Sequence, residues 1–260
     1  MEGHEAEPRD ARELAVWREA LGRVLAGRDL EIVTQPIVDL RTGAVFGYEA
    51  LTRFAGAPAA GPDVWFELAD EFGVSPELMA VTLRRQLALV EHLPKGRLLA
   101  VKVSCLGLDA DAVQPILQQA ALDGVVVELD RPERFGDGDD PGDLVDLAEL
   151  VEQLRSRGAR IAVTSTAGAD VPAIDALRPD IVRLDRAVIG DIDRDGGKRA
   201  LVDAAHAVLD SRGIRLLAHG IELPAELETL IGLGVPLGQG YLLGDPAPGW
   251  ARAAPPRGTG

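Results

Sequence analysis

The sequence predicts an α/β fold whose strands close into a (β/α)8 barrel, and three observations carry that expectation. Downstream of His92, short runs rich in valine and isoleucine alternate with segments of helical period. Those runs are almost continuously apolar, as strands buried on both faces of a parallel sheet must be. Ahead of them, two β-rich stretches joined by Arg41-Thr42-Gly43 read as a hairpin, which brings the strand count to that of a closed barrel. An open doubly wound sheet is the alternative, but no glycine-rich phosphate loop follows an early strand. The 260 residues fit one such domain, and 47% hydrophobic residues can fill its core.

Taken in order, residues 1–9 are polar and acidic and are expected to form a disordered tail. Between Asp10 and Ala26, the side chains of Leu14, Trp17, Leu21, Val24 and Leu25 recur on one helical face. This amphipathic helix is expected to cap a barrel domain running from residue 10 to 247. The hairpin follows, and its second stretch ends in a Gly/Pro/Ala loop at 55–62. Helices are expected over 64–74 and 75–93, the second opening on Ser75-Pro76, a helix-start signal. Strands are expected over 97–104, 124–130, 159–165, 180–189 and 214–221, with a weaker one at 239–243. Helical segments lie between them at 109–121, 142–157, 171–177, 196–212 and 224–233. The acidic stretch 134–142 lacks the spacing of an EF-hand loop and reads as a solvated turn. Residues 248–260 read as a second disordered tail.

Charge narrows the partners. With 27 Lys and Arg against 42 Asp and Glu, the formal net charge is −15, which repels a nucleic-acid backbone at long range. A small anionic ligand needs only a locally basic pocket. The single cysteine, Cys105, leaves no internal disulfide and reads as a small buried hydrophobe. No apolar run reaches membrane-spanning length and the first residues are not signal-like, so the expected location is the cytoplasm.

The second hairpin stretch carries the most chemistry. Even spacing along a strand puts Glu49, Leu51 and Arg53 on one face, an arrangement that suits an anionic ligand, a metal-assisted site or a structural ion pair. The order of residues goes further. Gln35-Pro36-Ile37-Val38, then Thr42-Gly43, then Gly47-Tyr48-Glu49-Ala50-Leu51-Thr52-Arg53 resembles the opening of EAL domains, bacterial phosphodiesterases of cyclic di-GMP. The resemblance extends from about Leu30 to Pro246, ending on Gln239-Gly240-Tyr241. It implies a TIM-like barrel of EAL type with an irregular first strand.

In active members of that family, the resemblance implies, a glutamate, an asparagine, a second glutamate and an Asp-Asp pair hold two divalent cations that activate water. Here Glu49 and Glu128 match the two glutamates. Lys102 stands at the asparagine, and Thr164 and Ser165 stand at the two aspartates. Arg183 replaces the family's lysine, and His219 replaces one further glutamate while Glu222 keeps another. Two hard cations need several carboxylates, so binding of Mg²⁺ or Mn²⁺ is expected to be lost, and no cofactor is expected. Lys102 is expected to stand in for the metal by pairing with Glu49 and Glu128. Internal pairing of Glu49 with Arg53 would likewise occupy the ligand pocket.

The resulting expectation is a non-enzymatic, degenerate EAL domain acting as a regulatory module on an unknown protein partner. A metal-independent cyclic di-GMP receptor is the alternative, with Gln35, Leu51, Arg53, Arg183 and Gln239 as ligand-binding positions. An active hydrolase built on His219, or a single-metal site of His219 with Glu49, Glu128 and Glu222, ranks below both. Homodimerisation through the barrel's surface is a further expectation from the resemblance.

Overall fold

The structure, a computed structural model, describes residues 11–130, 141–165 and 171–253. The tail expected at 1–9, residues 254–260 of the tail expected at 248–260, and the solvated turn expected at 134–142 lie outside the described residues or their described side chains, whereas residues 248–253 of the second tail are described.

Helix α1 (Ala11–Leu25) precedes the hairpin of β1 (Leu30–Asp39) and β2 (Val45–Phe54). Then come α2 (Pro62–Glu71), α3 (Ser75–Leu87) with a 3₁₀ extension to His92, and β3 (Leu98–Ser104). A 3₁₀ turn and α4 (Gln114–Gln119) lead to β4 (Val125–Asp130), then α5 (Pro141–Ser156), β5 (Arg160–Ser165) and α6 (Val171–Leu177). The remainder is β6 (Ile181–Leu184), α7 (Arg186–Ile189), α8 (Gly196–Asp210), β7 (Arg215–His219), α9 (Pro224–Gly232) and β8 (Leu237–Gln239).

The strands close into a barrel in sequence order, β1 through β8. The first strand is the irregular one, antiparallel to both β2 and β8, while every other neighbouring pair is parallel. The β1–β2 turn explains the hairpin locally. Asp39 accepts from the Thr42 amide and hydroxyl, both at 2.8 Å, and Gly43 adopts a φ of 70° that disfavours any residue with a Cβ.

Three apolar clusters hold the fold. The largest lies between the strands and the surrounding helices. A second unites α1, α2 and α3, where Trp65 stacks on Phe54 at 4.6 Å and meets Trp17 edge-on at 5.0 Å. Trp17, Leu21 and Val24 are buried there, so α1 caps the domain by the face its periodicity marks. The third is inside the barrel: Ile37, Ala100, Val126, Ala162, Ile181, Leu217 and Leu237.

Some boundaries differ from the sequence expectation. The strand expected over 180–189 stops at Leu184, and Arg186–Ile189 forms one helical turn; a short apolar run fits either period. The helix expected over 109–121 covers only Gln114–Gln119, because Pro115 has no N–H and restricts the residue before it, so α4 does not extend back towards 109. Packing also extends past residue 247. Trp250 lies against Tyr48 with centroids 5.0 Å apart, and the Thr34 hydroxyl donates to the Gly249 carbonyl.

Candidate functional site

Strand alternation builds the site. Two residues beyond each floor residue of the barrel interior, on the same face, stand Lys102, Glu128, Thr164, Arg183, His219 and Gln239. On β1, which runs the other way, two residues back from Ile37 stands Gln35. Glu49 completes the layer from β2, above Gly47, where a Cβ would meet the Leu98 carbonyl oxygen at 2.7 Å. One polar side chain per strand thus lines the C-terminal end of the lumen, above an apolar floor.

A string of hydrogen bonds crosses this layer. Gln35 donates to the Gly244 carbonyl at 2.9 Å, and Gln239 Nε2 donates to both Gln35 Oε1 at 3.0 Å and Glu49 Oε2 at 2.6 Å. Arg183 Nη1 continues it, donating to Glu49 Oε1 at 3.4 Å and Glu128 Oε1 at 2.5 Å. The Thr164 hydroxyl also donates to Glu128 Oε1, at 2.9 Å. Strands β1, β2, β4, β5, β6 and β8 are therefore linked through side chains. Arg183, Glu49 and Glu128 are only 8%, 5% and 4% exposed at their side chains, so water screens this triad little. Burial works against the guanidinium's charge, but Glu128 and Glu49 more than offset it and raise the pKa of Arg183.

Lys102 does not pair with Glu49 and Glu128. Its ammonium reaches outward to Asp130, at 3.2 Å, and its side chain is 45% exposed. A flexible stem allows a strongly hydrated ammonium to stay near water, whereas the planar, less hydrated guanidinium of Arg183 tolerates the interior and bridges two acceptors. Arg53 does not pair with Glu49 either; its Nη1 donates to the neighbouring Thr52 carbonyl at 3.0 Å. Leu51 and Arg53 lie above the layer on β2, both half-buried.

His219 borders the triad at the end of β7. Burial and the nearby charge of Arg183 push its pKa down to about 4, against smaller pulls from Glu128 and Asp185, so it is neutral at physiological pH. Its Nδ1 lies 3.8 Å from Asp185 Oδ1 and, like Arg183 Nε, has no hydrogen-bond partner among the described residues. Glu222 stands apart from the layer, 3.4 Å from Arg186. Ser165 follows Thr164 at the strand end, on the face of β5 that alternation turns away from the lumen.

Sequence reasoning missed one supporting network beside the site. Glu226, fully buried, accepts from Arg186 Nη1 at 2.8 and 2.7 Å and from the amides of Asp191, Glu222 and Leu223. Arg186 also donates to the Gly220 carbonyl at 2.8 Å, tying the ends of β6 and β7 together. Pro224 opening the helix, with Glu226 in its first turn, was the available signal. Among the described residues no group of three or more His, Cys, Asp or Glu side chains is placed to hold a metal ion. No helix among them is long and apolar enough to cross a membrane.

A family model described as EAL domain matches residues 17–246. The chain is similar to the cyclic di-GMP phosphodiesterase NbdA of Pseudomonas aeruginosa, with 29% identity over 242 residues, 88% of this chain and 30% of that protein. It is similar to the probable cyclic di-GMP phosphodiesterase PdeI of Escherichia coli, with 28% identity over 240 residues, 85% of this chain and 29% of that protein. The chain spans about a third of the length of these curated relatives. Among solved structures, the Xanthomonas citri FimX EAL domain in complex with c-diGMP superposes with a TM-score of 0.76 at 16% identity, covering 91% of this chain and 95% of that one. The PaMucR phosphodiesterase in its c-di-GMP complex gives 0.74 at 23% identity, covering 90% and 98%. These structural likenesses bear on the fold.

Proposed function

The chain belongs to the EAL domain family, and on that premise we propose that it is a non-catalytic member, a regulatory protein-interaction module in cytoplasmic cyclic di-GMP-related signalling. One observation carries the reading: the Arg183 guanidinium lies between Glu49 and Glu128, where its single positive charge is shared by both carboxylates.

The residues present do not fit a pair of divalent cations. Such ions need several anionic oxygens, and the two buried carboxylates of the layer already face a cation that keeps its proton at any physiological pH. Lys102 adds a second positive charge at the rim, while Thr164 uses its hydroxyl proton on Glu128. His219, neutral and next to Arg183, has no activated water supplied to it by this arrangement. The chemistry left to the layer is that of a cross-linked plug in the barrel mouth.

The test is hydrolysis of cyclic di-GMP by the purified protein with Mg²⁺ or Mn²⁺. The expected result is no turnover above the buffer rate. Turnover that Glu49→Gln abolishes would sink the reading.

A second reading, a metal-independent cyclic di-GMP receptor, has its own observation. Arg183 Nε and His219 Nδ1 are buried donors or acceptors with free capacity at the mouth, and Arg53 lies above them. A guanidinium edge of this kind receives phosphate oxygens well. Calorimetric titration with cyclic di-GMP in EDTA separates the two. Micromolar binding lost in Arg53→Ala establishes the receptor, and silence at high ligand concentration removes it.

A further inference from the structure

The end of the barrel opposite the mouth carries a concentration of positive charge that the acidic composition does not suggest. Arg41 occupies the β1–β2 turn, Lys95 and Arg97 lead into β3, Arg160 opens β5 and Arg215 opens β7. Because β1 alone runs antiparallel, its last residues meet the first residues of the other strands, so all five positions belong to one end. All are exposed except the half-buried Arg97, and none forms an ion pair or side-chain hydrogen bond among the described residues. By contrast Arg23, Lys102, Arg183 and Arg186, away from this end, and Arg155, Arg178 and Arg212, at its margin, all have carboxylate partners.

The carboxylates at the same end are mostly engaged too. Asp39 accepts from Thr42, Asp180 accepts from the Ile161 amide, Glu152 pairs with Arg155 and Arg178, and Asp175 pairs with Arg212. Glu91, Asp123 and Asp210 remain exposed there. Arg215 is held in place, its guanidinium 5.0 Å above the Phe46 ring. A stacked guanidinium loses less freedom on binding a carboxylate than a free one does. Alongside this end, a groove of about 460 Å³ runs between the 3₁₀ segment after α3 and α4, lined by Leu87, Val90, Ile116 and Ala120, with Arg84 and Glu91 also on its wall.

We propose that this N-terminal end of the barrel docks a short acidic peptide segment of a partner protein, with carboxylates on Arg160, Arg215 and their neighbours and apolar side chains in the groove. The proposal rests on the reading that the domain works by binding a protein, and names the chemistry of that partner. A short segment fits because screening over ~8 Å lets it sense the local cations rather than the net charge of −15. A long phosphate polymer would run on to the acidic flanks and be repelled there.

The probe is a fluorescein-labelled peptide of glutamates and leucines, titrated by fluorescence anisotropy against the full chain at low and physiological salt. Saturable binding is expected, weakened at least about tenfold by Arg160→Glu with Arg215→Glu, and by higher salt. Arg41→Glu with Arg97→Glu is an independent pair expected to act the same way, and near-UV circular dichroism checks that both variants fold. The mouth variant Arg53→Ala should bind the probe unchanged. Absence of binding up to about 1 mM, binding indifferent to both charge reversals, or equal competition by a single-stranded DNA oligonucleotide would each overturn the proposal. These outcomes leave the non-catalytic reading untouched, since hydrolysis of cyclic di-GMP decides that separately.

Discussion

Replacing Arg183 by methionine tests the central triad most directly. Methionine keeps an unbranched apolar stem and removes the charge, leaving Glu49 and Glu128 buried at 4% and 3% exposure with one neutral side-chain donor each, Gln239 and Thr164. Removing one partner of a buried ion pair costs about 3–5 kcal/mol, because the other charge stays desolvated without compensation. The surviving donors place the expectation at the lower end, about 3 kcal/mol, a large share of the 5–15 kcal/mol that typically holds a domain together. At roughly 2–4 °C per kcal/mol for a chain of this size, the melting temperature should fall by roughly 6–12 °C. Urea unfolding followed by near-UV circular dichroism at pH 7.5 reads the loss. The triple variant Glu49→Gln, Glu128→Gln, Arg183→Met removes all three charges, and should recover most of it, since the cost lies in the bare carboxylates and not in the absence of the arginine. A loss below about 1 kcal/mol in Arg183→Met, or a triple variant as unstable as the single one, would refute the assignment of Arg183 as the site's internal cation.

The same variant predicts a gain of function: with the guanidinium gone, about 10 mM Mn²⁺ should raise its melting temperature by a few degrees and leave the parent protein unmoved. Glu226→Gln should cost about 2–3 kcal/mol in urea unfolding at neutral pH, since it weakens the bond to Arg186 and three bonds to backbone amides. Burial pushes the Glu226 pKa up, but those donors more than offset it and hold it below 4.5. Its contribution is therefore present above about pH 4.5 and lost as pH falls through the folded value, so parent and variant should converge in acid. His219 should titrate by NMR with a midpoint near 4 rather than 6.5, and stability linked to it should be intact above pH 6.5 and decline between 6.5 and about 4. Trp65→Ala should cost about 3–5 kcal/mol and loosen α1, read as a loss of Trp17 burial by fluorescence quenching, because Trp65 is fully buried between Phe54 and Trp17.

Much of this architecture was legible in the sequence because a barrel strand has only two faces. The expected positions Gln35, Glu49, Lys102, Glu128, Thr164, Arg183, His219 and Gln239 do share one layer, for a physical reason: each lies two residues from a floor position and so faces the same lumen. Parity says which side chains share a space, but not which of them meet. Lys102 and Arg183 face the lumen from different walls, and choosing between them depends on reach and hydration, which only the packed structure resolves. The turn at Arg186–Ile189 was missed because four residues are too few to tell a strand from a helix. The docking of Trp250 was missed because a lone aromatic in a Pro/Gly-rich stretch carries no periodic signal.

On the proposed reading, an arginine in the place of a metal has a structural logic. Two carboxylates crowded at a barrel mouth repel each other and lose hydration, so the fold needs a cation among them whatever its function. A bound ion would make folding depend on ion supply and on pH, since its ligands must first be deprotonated. A guanidinium built into β6 removes that dependence: its charge is permanent, and its position is set by the register that pairs Arg183 with Thr164 and Leu217. The same permanence prevents it from doing what a metal does for water, because an arginine cannot bind and activate an oxygen as a Lewis acid. On the proposed reading, Arg183 steadies the mouth and, together with the residues at Lys102, Thr164 and Ser165, leaves no place for an ion that activates water, which is why the melting behaviour of Arg183→Met bears on function as well as on fold.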